Sequence, residues 1–425
     1  MAGNLTTVED VTPSRELLLP DPDPSPVHYT IISVDDHLVE PPWMFNGRLP
    51  RSLQPEAPRV VKKEDGSEAW VFEDQVFSQI GLNAIVGRRR DTWNREPARF
   101  SDMRKGCWDI DARIADMDLN GVWASLNFPS QVAGFCGRIF SGAKNPELGL
   151  AVTRAWNDWL FDEWYSPHPE RIIPMGITWL ADAETGADEI RRNADRGFTA
   201  VTLPERPQNI GYPALHTGYW DPIIRACAET DTVICLHVAS TGGHFDIPND
   251  VEFYPLRATL FGELSMIACA EWLWSRYPVT YPSLKIAMSE GGIGWVAMML
   301  DRLDNLTDRA DMGLMLDDTD IRDRSGLPFP DGYDWNTGLR PAEVLMRNFW
   351  FCTIDDPSTI DTRERIGVDH IMVEVDYPHS DSTWPNTQAV LKKAWGHLPV
   401  EDLRKMTHLN AARLFRHPLP ATCVP

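Results

Sequence analysis

From about residue 110 to the end of the chain, short apolar runs alternate with longer segments whose apolar positions recur every three or four residues. The short runs are apolar on both faces, which is typical of strands buried in a parallel sheet, and the longer segments predict amphipathic helices. With one earlier run included, the predicted strands are residues 31–35, 121–128, 172–180, 198–203, 232–238, 284–289, 349–354 and 370–376. The predicted helices are residues 111–120, 148–164, 183–195, 220–229, 261–277, 294–306 and 357–366.

This alternation favours one arrangement of the elements. Eight strands, each followed by a helix, predict an α/β fold of the (β/α)8 TIM-barrel type. A doubly wound open sheet is the alternative that ranks second. It would need fewer strands than the eight predicted here and a point at which the strand order reverses. We therefore expect one barrel domain over residues 29–425.

Three segments stand outside the alternation. Residues 1–28 contain Asp-Pro and Ser-Pro steps, and we expect a mobile N-terminal arm. Residues 40–108 form a long insertion after strand 1, and residues 307–340 form an acidic excursion after the strand-6 helix. Insertions that follow the carboxyl end of a barrel strand lie over the active face. Residues 40–108 are therefore a candidate lid.

Composition limits the classes of partner. The 425 residues are 43% hydrophobic and 24% charged, which is enough apolar sequence for a large core. The net charge of −22, without a basic stripe, argues against nucleic acid and anionic membranes, so we expect a small-molecule ligand. The seven cysteines never form a CxxC pair, which indicates neither a disulfide framework nor a zinc ribbon. With no signal-peptide pattern and no long apolar run, we expect a cytoplasmic protein.

Metal-competent side chains follow several of the predicted strands. Strand 1 ends in Asp35-Asp36-His37, strand 5 ends in His237, and strand 8 ends in Asp376. Alternation along a strand places Asp35 and His37 on one side and Asp36 on the other. Because the first and last strands of a barrel are neighbours, these groups should converge at its carboxyl end. Each alone could be a hydrogen-bonded strand-end residue, but together their oxygen and imidazole donors suit Zn²⁺ or Mn²⁺.

The order of these motifs resembles a known family. Asp-x-His after strand 1, His after strand 5, a Gly-rich turn after strand 6 and Asp376-Tyr377-Pro378-His379 after strand 8 are similar to the amidohydrolase-related branch of the amidohydrolase superfamily. This branch includes aminocarboxymuconate-semialdehyde decarboxylase and the resorcylate and carboxyvanillate decarboxylases. The resemblance implies a TIM-type barrel that holds one divalent metal, Zn or Mn. The ligands that it implies are Asp35, His37, His237 and Asp376.

The same resemblance bears on the reaction. Several decarboxylases of the branch carry an acid-acid-His triplet on strand 1, which the Asp35-Asp36-His37 sequence matches. It therefore implies a carboxy-lyase that acts on a small aromatic carboxylated substrate. A metal-dependent hydrolase of an amide, ester or lactone is the alternative, with Asp376 taking a proton from a metal-activated water. A non-catalytic binding barrel is a third hypothesis, and it would predict the loss of a ligand position.

The turn after strand 6 departs from the family. Members commonly carry a histidine ahead of the glycines, whereas this chain has Glu290 before Gly291 and Gly292. A carboxyl group can transfer protons if burial raises its pKa, and it can also bind a metal. The structural alternative is an ion pair between Glu290 and an arginine of the barrel such as Arg302.

The remaining candidates concern substrate and assembly. We expect Asp376, Glu290 and His379 to be catalytic, and His244 and Arg138 to bind substrate, the arginine through a substrate carboxylate. The acidic excursion and the 17 tryptophans lead us to expect a homodimer.

Overall fold

All eight expected strands are present, and they run parallel around one barrel. The structure is a computed structural model, and it describes residues 11–93, 96–242, 254–311, 338–353 and 357–425. The strands of the barrel are β1 (Ile32–His37), β5 (Ala124–Phe128), β6 (Ile172–Ile173), β7 (Met175–Gly176), β8 (Ala200–Thr202), β9 (Val233–His237), β10 (Ile286–Ser289), β11 (Phe349–Thr353) and β12 (Ile371–Val373).

The barrel consists of two parallel ladders that meet at two seams. One ladder has the order β1-β5-β6 and the other the order β7-β8-β9-β10-β11-β12. Pro174 divides β6 from β7, because proline has no N–H to donate to a ladder, so the single strand expected over 172–180 is two short ones. At the other seam the Asp376 N–H donates to the Asp35 carbonyl (2.8 Å) and the His37 N–H to the Tyr377 carbonyl (2.6 Å). The TIM-type barrel is therefore confirmed.

The helices surround this barrel close to their expected positions. Helix Ala183–Asp195 has the predicted bounds, whereas the helix expected over 357–366 is a 3-10 turn followed by one short α-helix. In the described part of the chain, no helix is long and apolar enough to cross a bilayer. The α-helices are Ile110–Asn120, Arg138–Ser141, Pro146–Trp159, Ala183–Asp195, Asp221–Glu229, Tyr254–Thr259, Phe261–Trp274, Tyr277–Thr280, Gly294–Asp311, Pro341–Asn348, Arg363–Ile366, Thr387–Trp395, Val400–Arg404 and Asn410–Phe415.

The insertion after β1 carries a small antiparallel sheet of its own. Its strands are β2 (Arg59–Lys62), β3 (Glu68–Phe72) and β4 (Gln75–Phe77), paired in the order β2-β3-β4. Beyond this sheet the N–H groups of Ile85 and Val86 both donate to the Pro378 carbonyl. The insertion therefore contacts the loop that follows β12, and the role of residues 40–108 as a lid stays a prediction.

The two other segments outside the alternation are described only in part. Residues 11–28 of the expected arm make backbone hydrogen bonds to the rest of the chain, such as Ser14 N–H to the Ser101 carbonyl (2.7 Å) and Ser25 N–H to the Leu119 carbonyl (2.8 Å). The mobility of the arm stays a prediction. Of the acidic excursion expected over 307–340, residues 312–337 lie outside the described residues.

A buried arginine fixes the carboxyl end of β1. Arg113, on the helix that precedes β5, is fully buried. Its Nε donates to the Gly106 carbonyl (2.7 Å) and its Nη2 to the His37 carbonyl. The guanidinium also lies 4.3 Å from the centre of the Tyr377 ring. Arg113 thus links the ends of the first and last strands, next to the residues expected to bind metal.

Removal of this arginine should destabilise the barrel. Arg113→Met leaves two buried carbonyl groups without their donor, so we expect the free energy of unfolding to fall by about 3 kcal/mol. Chemical denaturation followed by tryptophan fluorescence measures the change. The matched control is the exposed Arg89, where methionine should change stability by about 0.5 kcal/mol or less. Equal stability of the two variants would show that Arg113 does not hold the strand ends.

Candidate metal centre

At the end of β1 the side chains of the two acidic residues point in opposite directions, as alternation along a strand requires. Asp35 and His37 point to the centre of the barrel and are buried. Asp36 points away and accepts hydrogen bonds from the Ser125 hydroxyl and the Tyr377 N–H. Burial raises the pKa of Asp36 to about 6. Asp36 is therefore part of the seam between the strands, and the other two face the candidate centre.

The other three expected ligands lie around the Nε2 atom of His37. The Nε2 atom of His37 lies 3.6 Å from Asp35 Oδ1, 3.3 Å from Asp376 Oδ1 and 3.2 Å from His237 Nε2. The Nε2 atom of His237 is 3.7 Å from Asp35 Oδ2. Ligand atoms about 2.0–2.2 Å from a shared ion lie about 3–4 Å from one another. These separations suit Asp35, His37 and His237 as ligands of one divalent cation, and Asp376 forms an overlapping group with His37 and His379.

Both imidazoles are in the form that binds metals. The Nδ1 atom of His237 lies 2.7 Å from the Val238 carbonyl, which can only accept, so Nδ1 carries the proton and Nε2 presents its lone pair to the centre. Burial lowers the pKa of His237 to about 4 and the pKa of His37 well below its ordinary value. Both rings are thus neutral at neutral pH, and the unprotonated Nε2 of His237 faces the centre.

The carboxylates lack the donors that buried carboxylates normally have. Neither oxygen of Asp35 accepts a hydrogen bond from any described residue, and the Asp376 carboxylate has only the imidazoles of His379 and His37 close to it, although both side chains are buried. Burial and the neighbouring Glu374 raise the pKa of Asp35 well above its ordinary value. Burial also acts on Asp376, but His379 and His37 outweigh it and hold the pKa of this carboxyl below its ordinary range. A cation at this point would satisfy all four oxygens.

Glu290 lies at the same centre and not in an ion pair with Arg302. It follows β10 in a left-handed conformation (φ +60°), and its Oε2 is 3.2 Å from His237 Nε2. Arg302 is exposed on helix Gly294–Asp311. Burial, followed by the charge of Asp376, raises the pKa of Glu290 well above its ordinary value. The side chain is therefore a proton-holding acid beside the candidate ligands.

Aromatic rings pack around the imidazoles and fix their orientation. The His379 ring stacks on His37 with centroids 3.8 Å apart, and its Nδ1 lies 3.0 Å from Asp376 Oδ1. The rings of Phe128 and Phe135 lie 4.9 and 4.8 Å from the His237 ring. The predicted position of His379 in the site is thus observed, whereas its catalytic role stays a prediction.

Two residues of the centre had not been expected from the sequence. Glu374 is buried, and its Oε2 accepts from the Glu290 N–H (3.0 Å) and from the Cys352 thiol (2.6 Å). Together with Asp35 these two form a second group of metal-competent side chains. Glu374 stands two residues before Asp376, so strand alternation could have placed both on the same face. No sequence signal had singled out Cys352.

A cavity of about 680 Å³ opens beside the centre. Its inner end is lined by Glu290, Glu374 and Asp376, and its wall includes the aromatic side chain of Trp295. Arg138 does not line it; this residue begins a short helix, and its side chain runs past Gly134. The expected substrate residue His244 lies outside the described residues. Substrate binding by Arg138 and His244 therefore stays a prediction.

Metal binding at this centre should release protons. Without a cation Asp35 holds a proton at a pH where an ordinary aspartate has lost it, so Mn²⁺ must displace that proton. We expect Mn²⁺ affinity to rise as the pH rises, with release of about one proton per ion. Calorimetric titration in two buffers of different ionisation enthalpy measures the number.

Asp35→Asn should weaken Mn²⁺ binding by more than about 10-fold and abolish the proton release. Replacement of the exposed Asp111 by asparagine should leave both unchanged. Proton uptake, or an affinity that does not depend on pH, would contradict the assignment of Asp35.

A family model described as amidohydrolase matches residues 44–417. A comparison with curated proteins gives no match. An amidohydrolase from Mycobacterium avium subsp. paratuberculosis is similar in structure, with a TM-score of 0.67 and 21% sequence identity over 92% of this chain and 100% of the other.

Two solved decarboxylases share the same fold. The 2,6-dihydroxybenzoate decarboxylase from Rhizobium has a TM-score of 0.57 and 16% identity over 91% of this chain and 99% of its own. The 5-carboxyvanillate decarboxylase from Novosphingobium aromaticivorans, solved with bound manganese and 3-methoxy-4-hydroxy-5-nitrobenzoic acid, has a TM-score of 0.60 and 17% identity over 96% and 100%. The fold is common to all three, and the family match covers most of the sequence. The chain therefore belongs to the amidohydrolase family.

Proposed function

We propose that the protein is a metal-dependent carboxy-lyase that removes CO₂ from a small aromatic carboxylated substrate. The observation that carries the proposal is the cluster of Asp35, His237 and Asp376 around His37, in which Asp376 also lines a cavity with an aromatic wall. The similar folds of two aromatic-acid decarboxylases, one of them with bound manganese, support the same reaction class. Manganese is accordingly the ion that we propose first, with zinc as the alternative.

The side chains of the site have separable tasks in this reaction. A divalent ion held by the four ligands supplies a fixed positive charge that polarises substrate oxygens. Glu290 holds a proton and lines the cavity, so it can deliver that proton to the ring carbon that bears the carboxylate. As the new C–H bond forms, the bond to the carboxylate breaks and CO₂ leaves. Glu374 accepts from the Glu290 N–H and so helps to hold that residue in its left-handed conformation.

His379 and Asp376 complete the proposed machinery. The His379 ring lies against His37, and its Nδ1 contacts the Asp376 carboxylate at 3.0 Å. These contacts keep Asp376 ionised, which suits a metal ligand and a second group able to accept a proton. We further propose a homodimer in the cytoplasm, from composition alone.

Hydrolysis is the second candidate, and one observation favours it. The ionisable residues that line the cavity are acidic in every case among the described residues, and an acidic cavity suits a neutral amide, ester or lactone better than a dianion. In that reaction Asp376 would accept a proton from the attacking water. A non-catalytic barrel is disfavoured because all four ligand positions are retained.

Substitution of Glu290 should separate proton transfer from metal binding. With Mn²⁺ bound, Glu290→Gln should lower kcat for CO₂ release by about 10²- to 10⁴-fold, because the amide cannot donate the proton, while metal content stays the same. CO₂ release and loss of ring absorbance are followed with 2,6-dihydroxybenzoate, 5-carboxyvanillate and related hydroxybenzoates. Glu170→Gln, an exposed charge at the amino-terminal end of the barrel, is the matched control. Unchanged turnover in Glu290→Gln would remove the residue from the mechanism.

Asp376→Asn tests the metal end of the same proposal. We expect it to abolish turnover while the far-ultraviolet circular dichroism stays that of the wild type. The reason is that Asp376 contributes a charge to the metal site and does not stabilise the hydrophobic core. Hydrolysis of a panel of aryl esters and lactones is measured in parallel. Ester or lactone hydrolysis with no CO₂ release from any acid would replace the lyase by the hydrolase.

A further inference from the structure

The cavity beside the metal centre carries charge of one sign only. Its ionisable lining residues, among those that the structure describes, are Glu263, Glu290, Glu374, Asp376 and Asp381. We infer that the substrate bears a cationic, amine-type group at the end away from the metal, and that a second anionic group at that end is excluded. This inference rests on the proposed function, because it places the carboxylate that is lost at the metal end.

Burial divides the cavity into an inner and an outer part. Asp376 and Glu374 are each 1% exposed, and they mark the inner end beside the ligands. Glu263 and Asp381 are both exposed, so these two mark the mouth. A divalent ion offsets the negative charge at the inner end only. A substrate group at the mouth therefore lies near carboxylates. No positively charged side chain of the described lining offsets their charge there.

The inner end itself indicates a ligand. Asp376 is buried and faces the cavity, and its nearest polar neighbours are the imidazoles of His379 (3.0 Å) and His37 (3.3 Å). A cation held beside its oxygens would receive the anionic end of the substrate. The outer carboxylates then lie on the side of the cavity where the rest of the molecule must extend.

The wall between the two ends suits an aromatic ring and a cation. The Trp295 indole is held in place by its Nε1–H, which donates to the Gly291 carbonyl (3.0 Å), and by an edge-to-face contact with Phe351 at 5.5 Å. Phe261 lines the same cavity. Aromatic faces attract ammonium groups through their quadrupole, and carboxylates at the mouth add a charge partner.

The position of the mouth is fixed by close packing. A Cβ atom on Gly291 would collide with the Ser265 hydroxyl, so helix Phe261–Trp274 lies directly against the turn that carries Glu290. This helix also carries Phe261 and Glu263 into the cavity wall. The spacing between the metal end and the acidic mouth is therefore set by the backbone and not by flexible side chains.

The test uses three ligands that differ only in the charge of one substituent. They are 4-(aminomethyl)salicylate, 4-(hydroxymethyl)salicylate and 4-carboxysalicylate, whose shared carboxylate and hydroxyl can bind at the metal. Dissociation constants are measured by calorimetry on the Mn²⁺-loaded protein at low and high salt. We expect the amine to bind about 10-fold more tightly than the alcohol and about 100-fold more tightly than the second carboxylate, with smaller ratios at high salt.

Two variants test whether the carboxylates at the mouth cause the preference for the amine. In the double variant Glu263→Gln, Asp381→Asn the ratios should fall to about 3-fold or less, whereas Glu170→Gln at the opposite end of the barrel should retain them. An equal affinity for the three ligands, a preference for the dicarboxylate, or a failure of all three to bind would overturn the inference.

A parallel assay of CO₂ release keeps the two proposals apart. If the order of affinities holds but none of these acids loses CO₂, the inferred preference for a cationic substrate group stands and the lyase reaction is rejected. If the dicarboxylate is decarboxylated as efficiently as the amine, the lyase is retained and the charge preference is rejected.

Discussion

The seam between the first and last barrel strands is the contact on which the whole site depends. The Asp376 N–H donates to the Asp35 carbonyl, and the His37 N–H donates to the Tyr377 carbonyl. These two hydrogen bonds bring together side chains more than 330 positions apart in the sequence. Arg113 strengthens the junction from outside, since it donates to the His37 carbonyl and stacks on Tyr377. The candidate metal ligands on these strands are therefore placed by backbone pairing, and their separation does not rely on side-chain flexibility.

Electrostatics explains why this junction needs a cation. Asp35, Glu290, Glu374 and Asp376 are carboxyl residues collected at one end of a barrel, and the adjacent imidazoles stay neutral because burial disfavours their charged form. Buried carboxylates without donors are costly, and proton binding by Asp35 and Glu290 relieves only part of that cost. A divalent ion relieves the rest. The arrangement thus combines a strong site for a cation with an acid, Glu290, that keeps its proton next to it.

The sequence predicted the fold well, and it placed the candidate metal ligands at strand ends that the structure brings close together, because both follow from periodicity. Alternation along β1 correctly separated Asp35 and His37 from Asp36, and the eight apolar runs correspond to the strands of the barrel. Pro174 broke the strand expected over 172–180, since a proline cannot complete the ladder. The alternation that identified Asp35 would also have identified Glu374, had it been applied to the last strand.

Other features depend on contacts that no local pattern encodes. Glu290 and Asp376 both have positive φ, and the direction of the Glu290 side chain follows from that turn and from its hydrogen bond to Glu374. The structural alternative, an ion pair of Glu290 with Arg302, is not observed because the helix turns that arginine outward. The single sign of charge in the cavity likewise arises from three separate segments, and only the folded chain brings them together.

The central claim is that one divalent ion is bound by Asp35, His37, His237 and Asp376. Anomalous diffraction recorded at the manganese edge, from crystals of the Mn²⁺-loaded protein, tests it most directly. The account predicts one strong peak per chain, at about 2.0–2.2 Å from the imidazole nitrogens and carboxylate oxygens of these residues. A peak at another position would contradict it. So would the absence of a peak at these residues in crystals of protein that contains one manganese ion per chain.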